Sequence, residues 1–168
     1  MGDEKWLEGR AVLAPTNREV DKINNLMTDK LSGQLITLHS SDGLDNDRDA
    51  YRYNVEYINT LNPSGLPASR LTLKPGMPVM LMRNLNPTEG LCNGTRLVFK
   101  QRLSHRLLVC RTVGLDVNRD IYIPRIKLRP KERQYPFEWS RLQFPIRAAF
   151  SITINKSQGQ TMKMVGVW

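Results

Sequence analysis

Residues 150–161, which read Phe-Ser-Ile-Thr-Ile-Asn-Lys-Ser-Gln-Gly-Gln-Thr, are the most informative part of this chain. Its apolar first half predicts a short buried strand over residues 148–154. The Lys-Ser-Gln-Gly step that follows offers an ammonium, a hydroxyl, an amide and backbone N–H groups on one turn, and this combination suits a phosphate. A motif this short also fits an ordinary polar turn at the end of a core strand.

A strand followed by a helix is also predicted near the start of the chain. Residues 10–14 indicate a strand, and Thr16 with Glu19 three positions later fits a capping box for the following helix. Apolar residues at helical spacing continue to a predicted end at Gly33, namely Val20, Ile23, Met27 and Leu31. A further strand over residues 35–39 would complete a βαβ unit, the building block of a parallel sheet.

The middle of the chain has a different pattern. After an acidic loop and a short predicted helix over residues 54–61, short apolar runs alternate with turn residues. The predicted strands cover residues 71–73, 79–83, 95–100, 107–112 and 121–126. Short strands at such close spacing favour a small barrel.

Four blocks of sequence, in an order that spans most of the chain, carry a resemblance to a known family. They are residues 13–24 (Leu-Ala-Pro-Thr-Asn-Arg-Glu-Val-Asp-Lys-Ile-Asn), 73–85 (Leu-Lys-Pro-Gly-Met-Pro-Val-Met-Leu-Met-Arg-Asn-Leu), 90–97 (Gly-Leu-Cys-Asn-Gly-Thr-Arg-Leu) and 143–161, which begins Gln-Phe-Pro-Ile-Arg. Together they resemble the C-terminal motor half of the petite-integration-frequency (PIF) DNA helicases, in the Helitron-type form. The resemblance implies an α/β fold: a RecA-like second motor domain (2A) of residues 1–70 and 136–168, with an inserted Src-homology-three-like small β-barrel (2B) of residues 71–135.

The resemblance also implies a function. As part of an ATP-dependent 5′–3′ DNA helicase, the domain would grip single-stranded DNA and close the ATP cleft. The residues expected to contact DNA are Thr16, Asn17, Arg18, Thr153, Asn155, Lys156 and Ser157, and those expected on the nucleotide side are Gln158 and Gly159. The first three lie at a predicted helix N-terminus, which favours an anion. Plain helix capping by Thr16 explains that position equally well.

The sequence lacks the elements that hydrolyse ATP. It contains no Gly-x-x-x-x-Gly-Lys-Ser/Thr loop, and no Asp-Glu pair follows an apolar strand. By the resemblance, these elements belong to a preceding RecA-like ATPase domain, so that ATP and Mg²⁺ would bind only in the complete enzyme. We expect no catalytic residue and no ATP hydrolysis in this chain alone. The alternative is a free-standing nucleic-acid-binding or interaction module, or a degenerate transposon remnant without motor activity.

The positive charge of the chain is concentrated in one segment. Residues 96–147 hold 13 basic and four acidic side chains, an excess of +9 that equals the net charge of the whole chain. A segregated basic segment is typical of proteins that bind a polyanion, here single-stranded DNA. A solvated basic surface without a partner is the alternative.

Composition argues against several other classes of protein. The chain has 168 residues, 40% of them hydrophobic, and suits one domain with a small insert. Its apolar runs stay well below the ~20 residues of a membrane span, so we expect an intracellular protein without a membrane partner, nuclear in a eukaryote. Cys92 and Cys110 are expected to be reduced thiols. His39 and His105 have no ligand partners at zinc spacing.

Two other patterns admit a structural explanation. Asp45, Asp47, Asp49 and Glu56 occupy EF-hand positions, but Ala50 replaces the required glycine, so a solvated acidic loop is favoured over calcium. The aromatic residues near position 140 lie among arginines and could stack on bases. We favour a core position for Phe137, Trp139 and Phe144, because large aromatic side chains usually pack inside.

Overall fold

The computed structural model describes residues 7, 9–46, 52–113, 119–130, 135–160 and 162–168, and within them the chain is mostly β with few helices. The elements, in chain order, are β1 Arg10–Ala14, α1 Asn17–Lys30, β2 Ile36–His39, β3 Ser41–Leu44, α2 Val55–Thr60, β4 Arg70–Leu73, β5 Pro78–Leu81, a 3₁₀ turn Pro87–Glu89, β6 Arg96–Arg102, β7 Leu107–Thr112, β8 Asp120–Pro124, β9 Ile126–Leu128, β10 Trp139–Gln143, β11 Ile146–Ala148, β12 Ser151–Thr153, α3 Ile154–Ser157 and β13 Met164–Val167. The predicted strand over residues 107–112 and the predicted helix over residues 54–61 are confirmed.

A three-stranded parallel sheet with the order β12-β1-β13 contains the first predicted strand. Helix α1 packs beside it and buries Val20 and Ile23 against Ala14. The buried amide of Asn24 in the same helix bonds the carbonyl oxygens of Ala148 and Ser151 and accepts from the Ser151 N–H. This side chain therefore fixes α1 to the segment that enters β12.

The predicted βαβ unit is wrong in its second strand. Strand β2 pairs antiparallel with β4, with Ile36 opposite Leu73, and not with β1. Both edges of β1 are already occupied, by β12 on one side and β13 on the other. No edge remains for β2, so its backbone groups pair with β4 instead. Helix α1 also ends earlier than expected, with Leu31 rather than Ser32 as its C-cap, so that Gly33 is not at the C′ position.

The short strands of the middle segment form a five-stranded antiparallel sheet in the order β11-β5-β6-β7-β8. Its inner face and the β2-β4 ribbon bury one large apolar cluster, which includes Leu38, Leu73, Phe99 and Phe144. Because Ile146 pairs with Leu81, β11 belongs to this sheet although it lies outside the 71–135 segment. The strand predicted over residues 148–154 is confirmed only in part: β12 lies within it, whereas Ala148 ends β11.

That region instead holds two short strands in different sheets. Strand β11 is antiparallel to β5, and β12 is parallel to β1. Ala149 and Phe150 connect them and are both buried. An apolar run of this length reads as one strand in the sequence, because periodicity does not show where a chain passes from one sheet to the next.

A third sheet, with the order β3-β10-β9, is built around a buried ion pair. The Arg141 and Asp42 side chains are both fully buried, with Nη2 and Oδ2 2.6 Å apart. The same guanidinium donates to the carbonyl oxygens of Pro67, Ile58 and Leu61, so it also caps the end of α2. The core positions predicted for Phe137, Trp139 and Phe144 are confirmed, with 7%, 2% and 0% of their surface exposed.

Candidate nucleic-acid interface

The two predicted phosphate-binding segments meet at one edge of the parallel sheet. Ala14, the last residue of β1, pairs with Thr153, the last residue of β12. Because these strands are parallel neighbours, their carboxyl ends lie side by side, and the residues that follow them emerge together. Residues 16–18 follow β1, and residues 154–157 follow β12. These two segments, which are distant in the sequence, thus form one surface, which we call the carboxyl edge.

The first segment begins α1. Thr16 is the N-cap: its hydroxyl oxygen accepts from the Glu19 N–H at 3.3 Å and its hydroxyl donates to the Glu19 carboxylate at 3.0 Å. Thr16 is therefore confirmed as the N-cap, but the Glu19 carboxylate bonds the Thr16 hydroxyl and not its backbone N–H, as a capping box would. Asn17 and Arg18 are exposed at the start of the helix. These two residues, more than Thr16, have side chains available to a ligand.

The second segment contains the short helix α3, whose N-cap Thr153 makes no side-chain capping bond. Asn155 and Lys156 are exposed, whereas the Ser157 hydroxyl donates to the Ile154 carbonyl oxygen at 2.6 Å. Gln158 and Gly159 follow and are exposed too. Gly159 has a φ of 78°, a backbone conformation that favours glycine. Of the residues predicted for DNA here, Asn155 and Lys156 are best placed to reach it.

The Lys156 ammonium has both a cation and a carboxylate in its neighbourhood. Partial burial of its ammonium, and then the nearby Arg147 guanidinium, lower the pKa of Lys156, and the Asp21 carboxylate opposes this shift. Arg147 is paired with Asp21 at 3.0 Å. Two cations and one carboxylate therefore lie close together beside the carboxyl edge. Reasoning from sequence missed Arg147 and Asp21 at this place, because they come from β11 and α1 and no local pattern links them.

Gln160 is another residue that the sequence reasoning did not select. Its side-chain amide donates to the Gly94 carbonyl oxygen at 3.0 Å, and its backbone N–H donates to the Ser157 carbonyl oxygen at 3.1 Å. The end of the second segment is thus tied to the turn between β5 and β6. The only sequence signal was the Asn93-Gly94 pair, which marks a turn but not what the turn contacts.

Part of the basic charge of residues 96–147 is paired with acids of the same chain. Among the described residues, the ion pairs of this segment include Lys100–Asp120, Arg119–Glu89, Lys127–Asp45, Arg129–Asp45, Arg141–Asp42 and Arg147–Asp21. Arg96 donates to the carbonyl oxygens of Arg10 and Ala149. Acids outside the segment therefore offset part of its charge, while Arg102 and Arg106 are exposed. That the segment lines a DNA path stays a prediction.

Asp45, the described acid at the start of the acidic loop, is bonded by side chains of the same chain. Burial raises the pKa of Asp45, but hydrogen bonds from Arg129, Lys127 and Ser140 outweigh it, so the pKa lies below its ordinary value. Asp47 and Asp49 lie outside the described residues. Across the parts of the chain that the structure describes, no three His, Cys, Asp or Glu side chains come together as metal ligands, and no helix is long and apolar enough to cross a membrane.

Comparison with known proteins identifies the family. Residues 56–101 match the family described as DNA helicase Pif1, 2B domain. The chain is 27% identical to the ATP-dependent DNA helicase PIF1 of Xenopus laevis over 160 residues, which cover 89% of this chain and 22% of that protein. It is 32% identical to the human ATP-dependent DNA helicase PIF1 over 115 residues, which cover 68% of this chain and 18% of that protein. The chain thus spans about one fifth of the length of these relatives.

Solved structures agree with this similarity at the level of fold. The Pif1 helicase of Candida albicans superposes with a TM-score of 0.69 at 22% identity, covering 94% of this chain and 39% of that one. A Bacteroides Pif1 helicase, crystallised in complex with ADP-AlF3 and ssDNA, superposes with a TM-score of 0.64 at 19% identity, covering 94% of this chain and 34% of that one. The chain belongs to the Pif1 helicase family, and residues 56–101 match the family's 2B domain.

Proposed function

We propose that this chain acts in an ATP-dependent 5′–3′ DNA helicase, where its carboxyl edge grips single-stranded DNA. The observation that carries the proposal is the pairing of Ala14 with Thr153, which brings the two segments together. In domain terms, residues 1–70 and 136–168 would be the RecA-like second motor domain and residues 71–135 the Src-homology-three-like insert.

The chemistry of the carboxyl edge supports a phosphate backbone as its ligand. Asn17, Arg18, Asn155 and Lys156 are exposed there and offer two amides and two cations. Contacts of this kind position a strand without reading its bases, because they meet only phosphate and sugar. The Bacteroides Pif1 helicase of similar fold was crystallised with ssDNA. We therefore assign the same class of ligand to this surface.

The nucleotide side of the proposal concerns Gln158 and Gly159. In the complete enzyme, a separate RecA-like ATPase domain would supply the phosphate-binding loop and hold ATP with Mg²⁺, and Gln158 and Gly159 would face that cleft. The described residues of this chain would then contribute closure of the cleft, not hydrolysis. Phosphoryl transfer needs all these parts in place at once, so the 168-residue chain alone would not hydrolyse ATP.

Binding to a labelled oligo(dT) strand, measured by fluorescence anisotropy over a series of salt concentrations, tests the proposal. We expect weak, sequence-tolerant binding in which log K falls with log salt concentration by about 0.7 for each phosphate neutralised. Strands of mixed sequence should bind with similar affinity. Absence of binding at low salt, or an affinity that does not change with salt, would overturn the proposal in favour of an interaction module.

A further inference from the structure

The ion pair between Arg147 and Asp21 is anchored on both sides. Arg147 is on β11, which is held in the five-stranded sheet with Arg147 opposite Met80. Asp21 is on α1, and Asn24, one turn later, binds the carbonyl oxygens of Ala148 and Ser151. The backbones that carry the two charges are therefore fixed relative to each other.

The two partners differ in exposure. The Arg147 side chain is 21% exposed, whereas the Asp21 side chain is 67% exposed. A carboxylate this exposed is readily solvated by water, so an ion pair of this type contributes little free energy and can exchange for another anion. Because most of the Arg147 side chain is covered, its guanidinium should keep its position if the Asp21 carboxylate moves to another rotamer.

A second cation makes this place attractive to phosphate. Lys156 lies near enough to Arg147 for the two charges to repel each other, and Asp21 is the acid acting on both. A phosphodiester would relieve the repulsion, and the planar fork of arginine matches two phosphate oxygens. Asn155 and Lys156 extend the same surface into the carboxyl edge.

We propose that Arg147 is a further phosphate-binding residue of the carboxyl edge and that Asp21 occupies its guanidinium until a nucleic-acid phosphate replaces it. The inference rests on the proposed function, since it names an additional contact of the same surface. It gives Asp21 a defined role: the carboxylate competes with the strand for Arg147 and so weakens binding.

The test is a double-mutant cycle on oligo(dT) affinity with Asp21→Asn and Arg147→Ala. Asp21→Asn should tighten binding about two- to fivefold, the range expected for removal of an exposed competing ion pair. Arg147→Ala should weaken binding and lower the salt slope by about 0.7. In the double variant, the gain from Asp21→Asn should fall well below that in the single variant, because no guanidinium remains to be released and only the weaker effect of Asp21 on Lys156 is left.

A matched control separates competition from the general loss of negative charge. Asp29→Asn removes the same charge from the last turn of the same helix, where the residue is also exposed. It should change affinity much less than Asp21→Asn. Arg147→Lys should retain part of the binding lost in Arg147→Ala, and melting temperatures would identify variants that weaken binding by unfolding.

The outcomes distinguish this inference from the proposed function. If the wild-type chain binds oligo(dT) but Asp21→Asn leaves the affinity unchanged or weaker, or if its gain persists undiminished without Arg147, the site is wrong and the proposed function stands. If the wild-type chain does not bind oligo(dT) at all, the proposed function is wrong and the site falls with it.

Discussion

The side-chain amide of Gln160 bonds the Gly94 carbonyl oxygen at 3.0 Å, linking positions 66 residues apart. Gly94 is itself fixed, because its N–H donates to the Leu81 carbonyl oxygen at 2.8 Å in the five-stranded sheet. The segment that leaves α3 is therefore attached to the sheet that contains β5 and β6, two strands of the 2B match. Through this bond, the position of the carboxyl edge depends on the neighbouring antiparallel sheet.

Replacing Gln160 by alanine should loosen that segment. The lost hydrogen bond is worth about 1 kcal/mol, so overall stability should fall only slightly. Amide hydrogen exchange should accelerate at residues 158–160 while the strands of the sheet keep their protection. Gln158→Ala is the control, since Gln158 is exposed. Unchanged exchange in Gln160→Ala would mean that the bond does not hold the segment.

Gly94→Ala should lower the stability of the protein, because alanine does not readily adopt the backbone conformation of Gly94. Gly94 has a φ of 97°, which L residues rarely adopt, and an added Cβ would lie 3.5 Å from the Gln160 amide nitrogen, an ordinary contact. The backbone conformation and not space is the obstacle, so we expect a loss of stability of about 1 kcal/mol or more. Urea unfolding measures it. The same substitution at Gly43, which has an ordinary φ and open space for an added Cβ, should be tolerated better.

Lys156→Ala tests the carboxyl edge directly. Removing this cation should lower oligo(dT) affinity and reduce the salt slope by about 0.7, with little change in melting temperature. Lys163→Ala is a matched control, because Lys163 is exposed and directly precedes Met164, which pairs with Arg10 at the opposite edge of the sheet. Equal effects of the two substitutions would mean that Lys156 acts through the overall positive charge of the protein and does not contact the DNA.

The buried pair of Arg141 and Asp42 should be essential for stability. Arg141→Ala leaves the Asp42 carboxylate without its partner and frees three carbonyl oxygens, so we expect a loss of about 3–5 kcal/mol in the free energy of unfolding. Arg129→Ala removes an arginine of which 67% of the side chain is exposed, and should cost below about 1 kcal/mol. Denaturant titration compares them, and similar losses would contradict the structural role of Arg141.

The two thiols should differ in reactivity. Cys92 is half-buried, whereas Cys110 is buried and its burial raises the pKa of its thiol from 9.0 to about 12. Since the thiolate is the reactive form, an aromatic disulfide reagent should modify Cys92 in the native protein and Cys110 only after unfolding. Two fast-reacting thiols under native conditions would contradict this assignment.

The same shift makes stability depend on pH. The unfolded chain loses the Cys110 proton near pH 9, whereas the folded chain keeps it until about pH 12. The stability contributed by the neutral thiol is therefore complete below pH 9 and falls between pH 9 and 12, by at most about 1.4 kcal/mol per pH unit. Cys110→Ala lacks this term, so its unfolding free energy should approach that of the wild type above pH 9.

Local features of the fold could be predicted because their causes are local. The Thr16 cap, the apolar face of α1 and strand β7 follow from contacts or periodicities within a few positions. The buried aromatic residues follow from the general preference of large aromatic side chains for the core. The residues expected at the carboxyl edge were chosen by resemblance to a family, and the structure places the two groups side by side. Their roles toward DNA and nucleotide remain predictions.

Pairing partners could not be predicted in the same way. Strand β2 has the pattern of a strand whichever neighbour it takes, and the neighbour was decided by competition for the edges of β1. The apolar run before Lys156 also gives no sign that Ala149 and Phe150 carry the chain between two sheets. Residues such as Asn24, Gln160 and Arg147 gained their roles only from segments distant in the sequence.

Capping, periodicity and turn preferences act over a few bonds, so the sequence indicated many of the strands and helices and which residue types follow them. Which strand edges meet, that Ala14 lies beside Thr153 and that Asp21 faces Arg147 became visible in the tertiary structure alone. The reason is physical: backbone hydrogen bonds and charges are satisfied by any suitable partner within reach, and packing of the whole chain selects which partner that is.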